Sequence, residues 1–233
     1  MSAPTTATTG VPAEAVPDLE QLVIEDGKPV DGILSEKQMR LLTEPLQSGW
    51  SAPEGQPFVV MANVGVFHSL REPPIVPDVL LAVGVTQGTD LTERENLSYF
   101  VWLRGKAPDV AIEIVSNREG GEDSDKFRTY ARIGVPYYLM FDPDNLLRAG
   151  VLRVFELQGR RYRPLVEPNF LEAAGLGVRL WEGAFEGLNR TWLRWCDRMG
   201  NLIPTGAERA ERAEKELAQL RERLREMGIE PPV

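Results

Sequence analysis

The chain has 233 residues, 42% of them hydrophobic, which is enough to bury one full-sized core and too few for two catalytic domains. Its formal net charge is -9, which argues against a protein that coats nucleic acid without specificity, because such binding depends on neutralising phosphates. A single cysteine, Cys196, excludes an intrachain disulfide, and a single histidine, His68, excludes the usual cysteine–histidine zinc clusters.

The first part of the chain predicts a tail followed by a helix. Residues 1–17 are rich in alanine, threonine and proline and predict a flexible segment without the basic start and apolar core of a signal peptide. No stretch approaches the roughly 20 apolar residues that span a membrane, so we expect a cytoplasmic protein without membrane contact. Ser35 and Gln38 have the spacing of a capping box, which predicts a helix over residues 35–47.

Three predicted strands follow, and the third carries an unusual acid. Large apolar and β-branched residues between prolines and glycines predict strands over residues 58–67 and 79–83 that pair as neighbours. A third strand over residues 109–115 alternates in character, so that Glu113 faces away from its large apolar residues.

The segment after this strand predicts a parallel crossover. Residues 122–133 are typical of a helix ended by Gly134, and residues 136–141 are typical of a strand. A strand, a helix and a strand at this spacing favour two parallel strands joined by the helix.

The last third of the chain predicts further strands and a long helix. Residues 151–157 and 161–166 flank Gln158 and Gly159 as in a hairpin, and short strands near Trp181 and over residues 192–196 are expected to complete the same sheet. The tail predicts a helix with one apolar seam, which favours a short coiled coil and a homodimer or higher homo-oligomer. The seam consists of Ala210, Ala213, Leu217, Leu220, Leu224 and Met227.

One set of polar residues predicts a metal site. Asp78 begins a strand, Glu113 lies inside the next, and Lys126 lies on the helix that follows. Each is weak alone, since such residues are usually structural or solvated. Together, two carboxylates on adjacent strands can converge on Mg²⁺ (or Mn²⁺), with the backbone carbonyl of Ile114 as a further ligand. A nearby lysine can orient an attacking water or stabilise developing charge on a phosphodiester. Tyr130, four residues after Lys126, either orients that lysine or packs in the core.

Two sequence runs resemble a known family. Residues 73–84, PPIVPDVLLAVG, and residues 108–143, which begin PDVAIEIVSN and include DSDKFRTYARIG, resemble the Uma-two family of restriction endonucleases. The resemblance implies the PD-(D/E)XK nuclease superfamily and an α/β fold: a restriction-endonuclease-like mixed sheet flanked by helices, here with a C-terminal coiled-coil helix.

The resemblance also implies which residues form the site. Asp78 and Glu113 take the positions of the two acids. The superfamily pattern places its lysine two residues after the glutamate, where this chain has Val115, and Lys126 fits a relocation of that lysine to the following helix. Glu36 is either an extra acidic group contributed by the first helix, as is common in the superfamily, or part of a helix start.

These observations favour a three-part chain and one primary function. We expect a tail over residues 1–17, a nuclease domain over residues 18–205 and a coiled-coil helix over residues 206–233. The primary hypothesis is a Mg²⁺-dependent endonuclease acting on DNA. The alternative is a catalytically inactive nuclease-fold protein that acts through its coiled coil; a glycoside hydrolase with two acids is disfavoured by the lysine and the resemblance.

Overall fold

The computed structural model describes residues 32–116, 123–166 and 169–228, so the predicted tail over residues 1–17 lies outside the described residues. The helices are α1 (Ile33–Gly49), α2 (Val101–Arg104), α3 (Asp123–Ile133) and α4 (Gly206–Glu226). The strands are β1 (Phe58–Ala62), β2 (Val66–Phe67), β3 (Val79–Val83), β4 (Tyr99–Phe100), β5 (Val110–Ile114), β6 (Tyr137–Phe141), β7 (Leu152–Gln158), β8 (Arg161–Pro164), β9 (Phe170–Leu171), β10 (Leu176–Phe185) and β11 (Leu188–Cys196).

A six-stranded mixed sheet with the order β1-β3-β5-β6-β7-β8 forms the centre of the fold. The pairs are antiparallel except β5 with β6, which run parallel and are joined by α3. This confirms the predicted crossover, the pairing of β1 with β3, and the mixed-sheet α/β class. All residues of β3, β5 and β6 are buried, as expected for strands covered on both faces.

The two faces of the central sheet have different cores. On one face, Val110, Ile112 and Ile114 of β5 belong to a cluster that also contains residues of α1 and β11. On the other face, Ala111 belongs to a second cluster, to which Tyr130 of α3 also belongs. The predicted alternation of β5 is therefore confirmed, and Glu113 lies on the α3 face.

The predicted single strand over residues 58–67 is divided into β1 and β2. Asn63 has a left-handed backbone with φ of 53°, which is incompatible with a continuous strand. β2 then pairs in parallel with β4 in a small two-stranded sheet.

The expectation that the strands near Trp181 and residues 192–196 complete the central sheet is wrong. β10 and β11 are ten and nine residues long, and with β9 they form a separate three-stranded sheet. The reason is that β11 packs its buried face on α1: the Trp195 indole Nε1 donates to the Leu42 carbonyl at 2.7 Å. α1 thus lies between the two sheets.

The predicted capping box at the start of α1 is also wrong. The helix begins at Ile33 with Gly32 as its N-cap, and no side chain caps it. Ser35 and Gln38 lie buried inside the helix. The Gln38 amide instead pairs with the backbone of Leu193 in β11, donating through Nε2 at 2.8 Å and accepting through Oε1 at 3.1 Å. It therefore satisfies the backbone N–H and C=O of one residue on the edge strand of the second sheet.

The predicted C-terminal helix is present as α4, and its first turn is fixed to the body. Thr205 and Glu208 form a capping box. Arg194, whose side chain is 2% exposed, binds both carboxylate oxygens of Glu208 at 2.8 and 2.6 Å. Beyond this turn the seam is largely open, with Leu217 47% and Leu220 54% exposed. Coiled-coil pairing stays a prediction.

Within the described ranges, none of the helices combines the length and the apolar composition needed to cross a lipid bilayer. The expected cytoplasmic location stays a prediction.

We expect Gln38→Leu to lower the free energy of unfolding by about 2–4 kcal/mol, because the buried N–H and C=O of Leu193 would lose their partners. Urea unfolding measures this change. Gln47→Leu on the same helix is the control, since Gln47 is exposed and makes one longer bond of 3.3 Å. Equal effects of the two substitutions would contradict the prediction.

Candidate active site

Asp78 and Glu113 come together at one end of the ladder between β3 and β5. The last registered pair is Val79 with Ile112, so Asp78 lies beside Glu113, and antiparallel neighbours of this kind have Cβ atoms roughly 5 Å apart. Asp78 Oδ2 also accepts the backbone N–H of Ile114 at 2.5 Å. The two acids are 8% and 7% exposed.

Two side chains of α3 hold the Glu113 carboxylate. Lys126 Nζ donates to Oε2 at 2.8 Å, and the Tyr130 hydroxyl donates to Oε1 at 2.7 Å. Lys126 and Tyr130 can both reach one carboxylate because residues four apart share a helix face. Each oxygen of Glu113 therefore has its own donor.

The pKa of Tyr130 reflects its burial next to the two acids. Its pKa is raised well above the usual value, first by burial and then by the negative charge of Glu113 and its hydrogen bond, with a smaller contribution from Asp78. The phenol therefore remains a hydrogen-bond donor throughout the neutral range.

The structure brings Lys126 into contact with the predicted acid, Glu113. Val115, at the position of the superfamily lysine, is partly buried against the core on the α3 face. Lys126 reaches Glu113 from the helix instead, with its side chain 31% exposed. Its ammonium thus contacts the buried acid, while its side chain as a whole is partly open to solvent.

The two remaining predicted site residues are placed differently. Ile114 presents its amide N–H to Asp78, while its side chain packs in the α1-side core. Glu36 lies on α1, exposed, with Arg40 as its partner at 2.8 Å. Since α1 packs on the opposite face of the sheet from α3, Glu36 is not brought into contact with this cluster by the described residues.

With this geometry established, comparison with known proteins becomes informative. A family model named Uma2, described as "Putative restriction endonuclease", matches residues 21–180, which is more than half of the chain. The chain belongs to the Uma2 family. The resemblance of the two sequence runs is therefore confirmed, and membership supports a nuclease function.

Other comparisons add less. The crystal structure of a "putative nuclease belonging to DUF820" from Anabaena variabilis ATCC 29413 is similar over 61% of this chain and 72% of that chain, with 16% identity and a TM-score of 0.42. A search of the curated proteins finds no match.

The donor atoms of this Uma2 site fit a hard divalent cation. Across residues 32–116, 123–166 and 169–228 no group of three or more histidine, cysteine, aspartate or glutamate side chains is placed to hold a metal. Asp78 and Glu113 supply two carboxylates, and Mg²⁺ often binds through one or two carboxylates together with waters and substrate phosphate. The predicted ligand set, completed by the Ile114 carbonyl, therefore stays a prediction that the donor chemistry supports.

Sequence reasoning missed a cleft on the α1 face of the sheet. This apolar cleft, of about 480 Å³, lies between the start of α1 and the end of β5, and Trp192 of β11 also lines it. Its lining comes from four segments, within residues 32–38, 114–116, 141–144 and 190–192, and no local pattern connects them.

We expect Tyr130→Phe to change how stability depends on alkaline pH. A raised pKa in the folded state gives stability that is present below the unfolded value near 10 and is lost as pH rises above it. Above pH 10 the free energy of unfolding of the intact protein should therefore fall more steeply than that of the variant, by about 1.4 kcal/mol per pH unit for one proton.

Urea unfolding of both proteins between pH 6 and 11 tests this. The difference between them should be constant up to about pH 9, which is the internal control. Identical slopes above pH 10 would mean that Tyr130 ionises as an exposed phenol does.

Proposed function

We propose that this Uma2 protein is a Mg²⁺-dependent endonuclease that hydrolyses phosphodiester bonds of DNA, with Mn²⁺ as an alternative ion. One observation carries the proposal: two neighbouring buried carboxylates, Asp78 and Glu113, with a lysine and a tyrosine donating to the second. The family supports a nuclease, and this geometry supports the residues assigned to it.

The two acids form the negative end of the site. Like charges that are buried side by side disfavour joint ionisation unless positive charge or donors balance them. Lys126, Tyr130 and the Ile114 amide balance part of that charge. A divalent cation held by both carboxylates would balance the remainder, polarise the phosphoryl oxygens and acidify a bound water.

Lys126 contributes the positive group that would face the substrate. Its ammonium lies 2.8 Å from Glu113 and its side chain is partly exposed, so it would contact a substrate phosphate without leaving the acid. There it would orient the attacking water or stabilise charge that develops on the scissile phosphate. Tyr130, which is 1% exposed, would act as a positioning residue that keeps the Glu113 carboxylate in place.

The proposal has a direct test in three near-isosteric variants. Asp78→Asn, Glu113→Gln and Lys126→Met should each lower the rate of cleavage of supercoiled DNA in Mg²⁺ by about 10²-fold or more, because each removes a charge from the reacting centre. Calorimetry should show Mg²⁺ binding by the intact protein and weaker binding by the two acid variants.

Lys215→Met is the matched control, since Lys215 is an exposed lysine paired with Glu211 on α4. It should cleave at the normal rate. If the intact protein neither cleaves DNA nor binds Mg²⁺, the nuclease proposal fails and the inactive interaction protein becomes the better interpretation.

We further propose that residues 18–205 act as the nuclease domain and that the segment over residues 206–233, which contains α4, joins two or more copies. Leu217 and Leu220 lie on one seam of α4 and are about half exposed, and helix pairing would cover them. The same face would serve the interaction protein of the alternative hypothesis.

Leu217→Glu/Leu220→Glu should convert the oligomer to a monomer, because charges would replace the apolar seam. Light scattering at several concentrations gives the mass. These changes leave the bond between Arg194 and Glu208 intact, so the body should keep its unfolding temperature. Glu214→Leu/Glu216→Leu, at exposed positions outside the seam, is the charge-changing control and should not reduce the mass. An intact protein that is monomeric throughout would contradict the proposal.

A further inference from the structure

A groove lies between α3 and the hairpin formed by β7 and β8. Its floor contains Phe127, Ala131 and Tyr162, and the Phe127 and Tyr162 rings contact each other edge-on with centroids 5.0 Å apart. The Tyr162 hydroxyl donates to the Val135 carbonyl at 2.8 Å, which fixes the hairpin to the turn after α3. The floor is therefore a rigid part of the core.

The rims of this groove are basic. Four arginines line it, and among the residues that the structure describes no acid does: Arg128 and Arg132 come from α3, and Arg160 and Arg161 come from the hairpin. We name this feature the arginine groove. In a chain with a net charge of -9, four clustered guanidinium groups are a strong local exception.

The four arginine side chains are largely exposed to solvent. Arg128 and Arg132 are 73% and 58% exposed and make surface ion pairs with Asp125 and Glu72, which water and salt screen. Arg160 and Arg161 are exposed and have no ion pair with a described residue. Guanidinium groups bind phosphate oxygens in a bidentate manner, so the groove matches a polyanion.

The groove and the candidate active site lie on neighbouring flanks of α3. Phe127 in its floor directly follows Lys126, and consecutive Cα atoms are about 3.8 Å apart. α3 therefore presents Lys126 and Tyr130 to Glu113 and, on its neighbouring flank, Phe127 and Ala131 to the groove. Arg128 and Arg132 are one helical turn apart, so they can contact successive phosphates of one strand.

We infer that the arginine groove binds the phosphate backbone of duplex DNA and leads one strand toward Lys126 and the acid pair. This inference rests on the proposed nuclease function for the choice of DNA. Because guanidinium contacts to phosphate carry no base information, the groove positions DNA of any sequence. It also explains how an acidic protein can bind a polyanion through a confined basic surface.

The test measures binding of a fluorescent DNA duplex, without divalent ions, at several salt concentrations. All proteins carry Glu113→Gln so that the DNA stays intact. Arg160→Ala/Arg161→Ala should make the negative slope of log affinity against log salt shallower by about 2, since each phosphate contact contributes about 0.9 to its magnitude. At about 0.1 M salt this corresponds to roughly 10- to 100-fold weaker binding, equally for unrelated sequences.

Two controls separate the groove from general electrostatics. Arg212→Ala/Arg223→Ala removes two exposed arginines from α4 and changes the net charge equally, so it should leave the slope unchanged. Arg160→Lys/Arg161→Lys should retain most of the salt dependence of binding, because lysine keeps the positive charge. An unchanged slope in Arg160→Ala/Arg161→Ala, with normal unfolding temperature, overturns the inference, as does tighter groove-dependent binding of an RNA duplex.

Cleavage by the active-site-intact protein, assayed in parallel, distinguishes this inference from the proposed function. Groove-dependent binding without cleavage would overturn the nuclease proposal and leave the groove as a DNA-binding surface. Normal cleavage and normal binding after Arg160→Ala/Arg161→Ala would overturn the inference about the groove and leave the nuclease proposal in place.

Discussion

Two carboxylates that are buried next to each other repel when both are charged. In this protein, hydrogen-bond donors from Ile114, Lys126 and Tyr130 offset that repulsion. The antiparallel register of β3 and β5 places Asp78 beside Glu113. If β5 were shifted by one residue along β3, Glu113 would point to the α1 face of the sheet, into an apolar core. α3 must then lie where Lys126 and Tyr130 reach the carboxylate, so its position depends on the same register.

The parallel crossover supplies the rest of this arrangement. β5, α3 and β6 form one continuous unit, and the helix lies on the face of the sheet to which Glu113 points. The aromatic rings of Phe127 and Tyr130 both contact Tyr138 of β6, so the helix is fixed by packing and not by the polar contacts alone. Polar groups on a rigid helix can hold a carboxylate with little reorganisation.

Local patterns were sufficient for most of the central sheet, and they indicated the acids and the lysine that the structure brings together in the candidate site. Alternation in β5 indicated the face of Glu113, and Gly134 marked the end of α3. The distance from Lys126 to Glu113 could not be read from the sequence, because it depends on how the crossover packs. The family resemblance, and not the spacing, indicated that a helix lysine replaces the one missing at Val115.

The errors share a physical cause. Gln38 has the spacing of a capping residue, yet its amide binds Leu193, 155 residues later. β10 and β11 have strand patterns, but patterns do not reveal whether a strand joins one sheet or another. The same holds for the arginine groove, whose two rims come from segments about 30 residues apart. Partner choice between distant segments is a property of the folded chain.

The buried guanidinium of Arg194 has a consequence for how such proteins can be recombined. Its carboxylate partner, Glu208, lies inside α4, past the boundary at residue 205 that composition suggested. A chimaera joined at residue 205 would separate this pair and leave a cation in the interior, which is strongly destabilising. A segment exchanged between such proteins should therefore begin after Glu208, because the first turn of the helix is bound to the body of the protein.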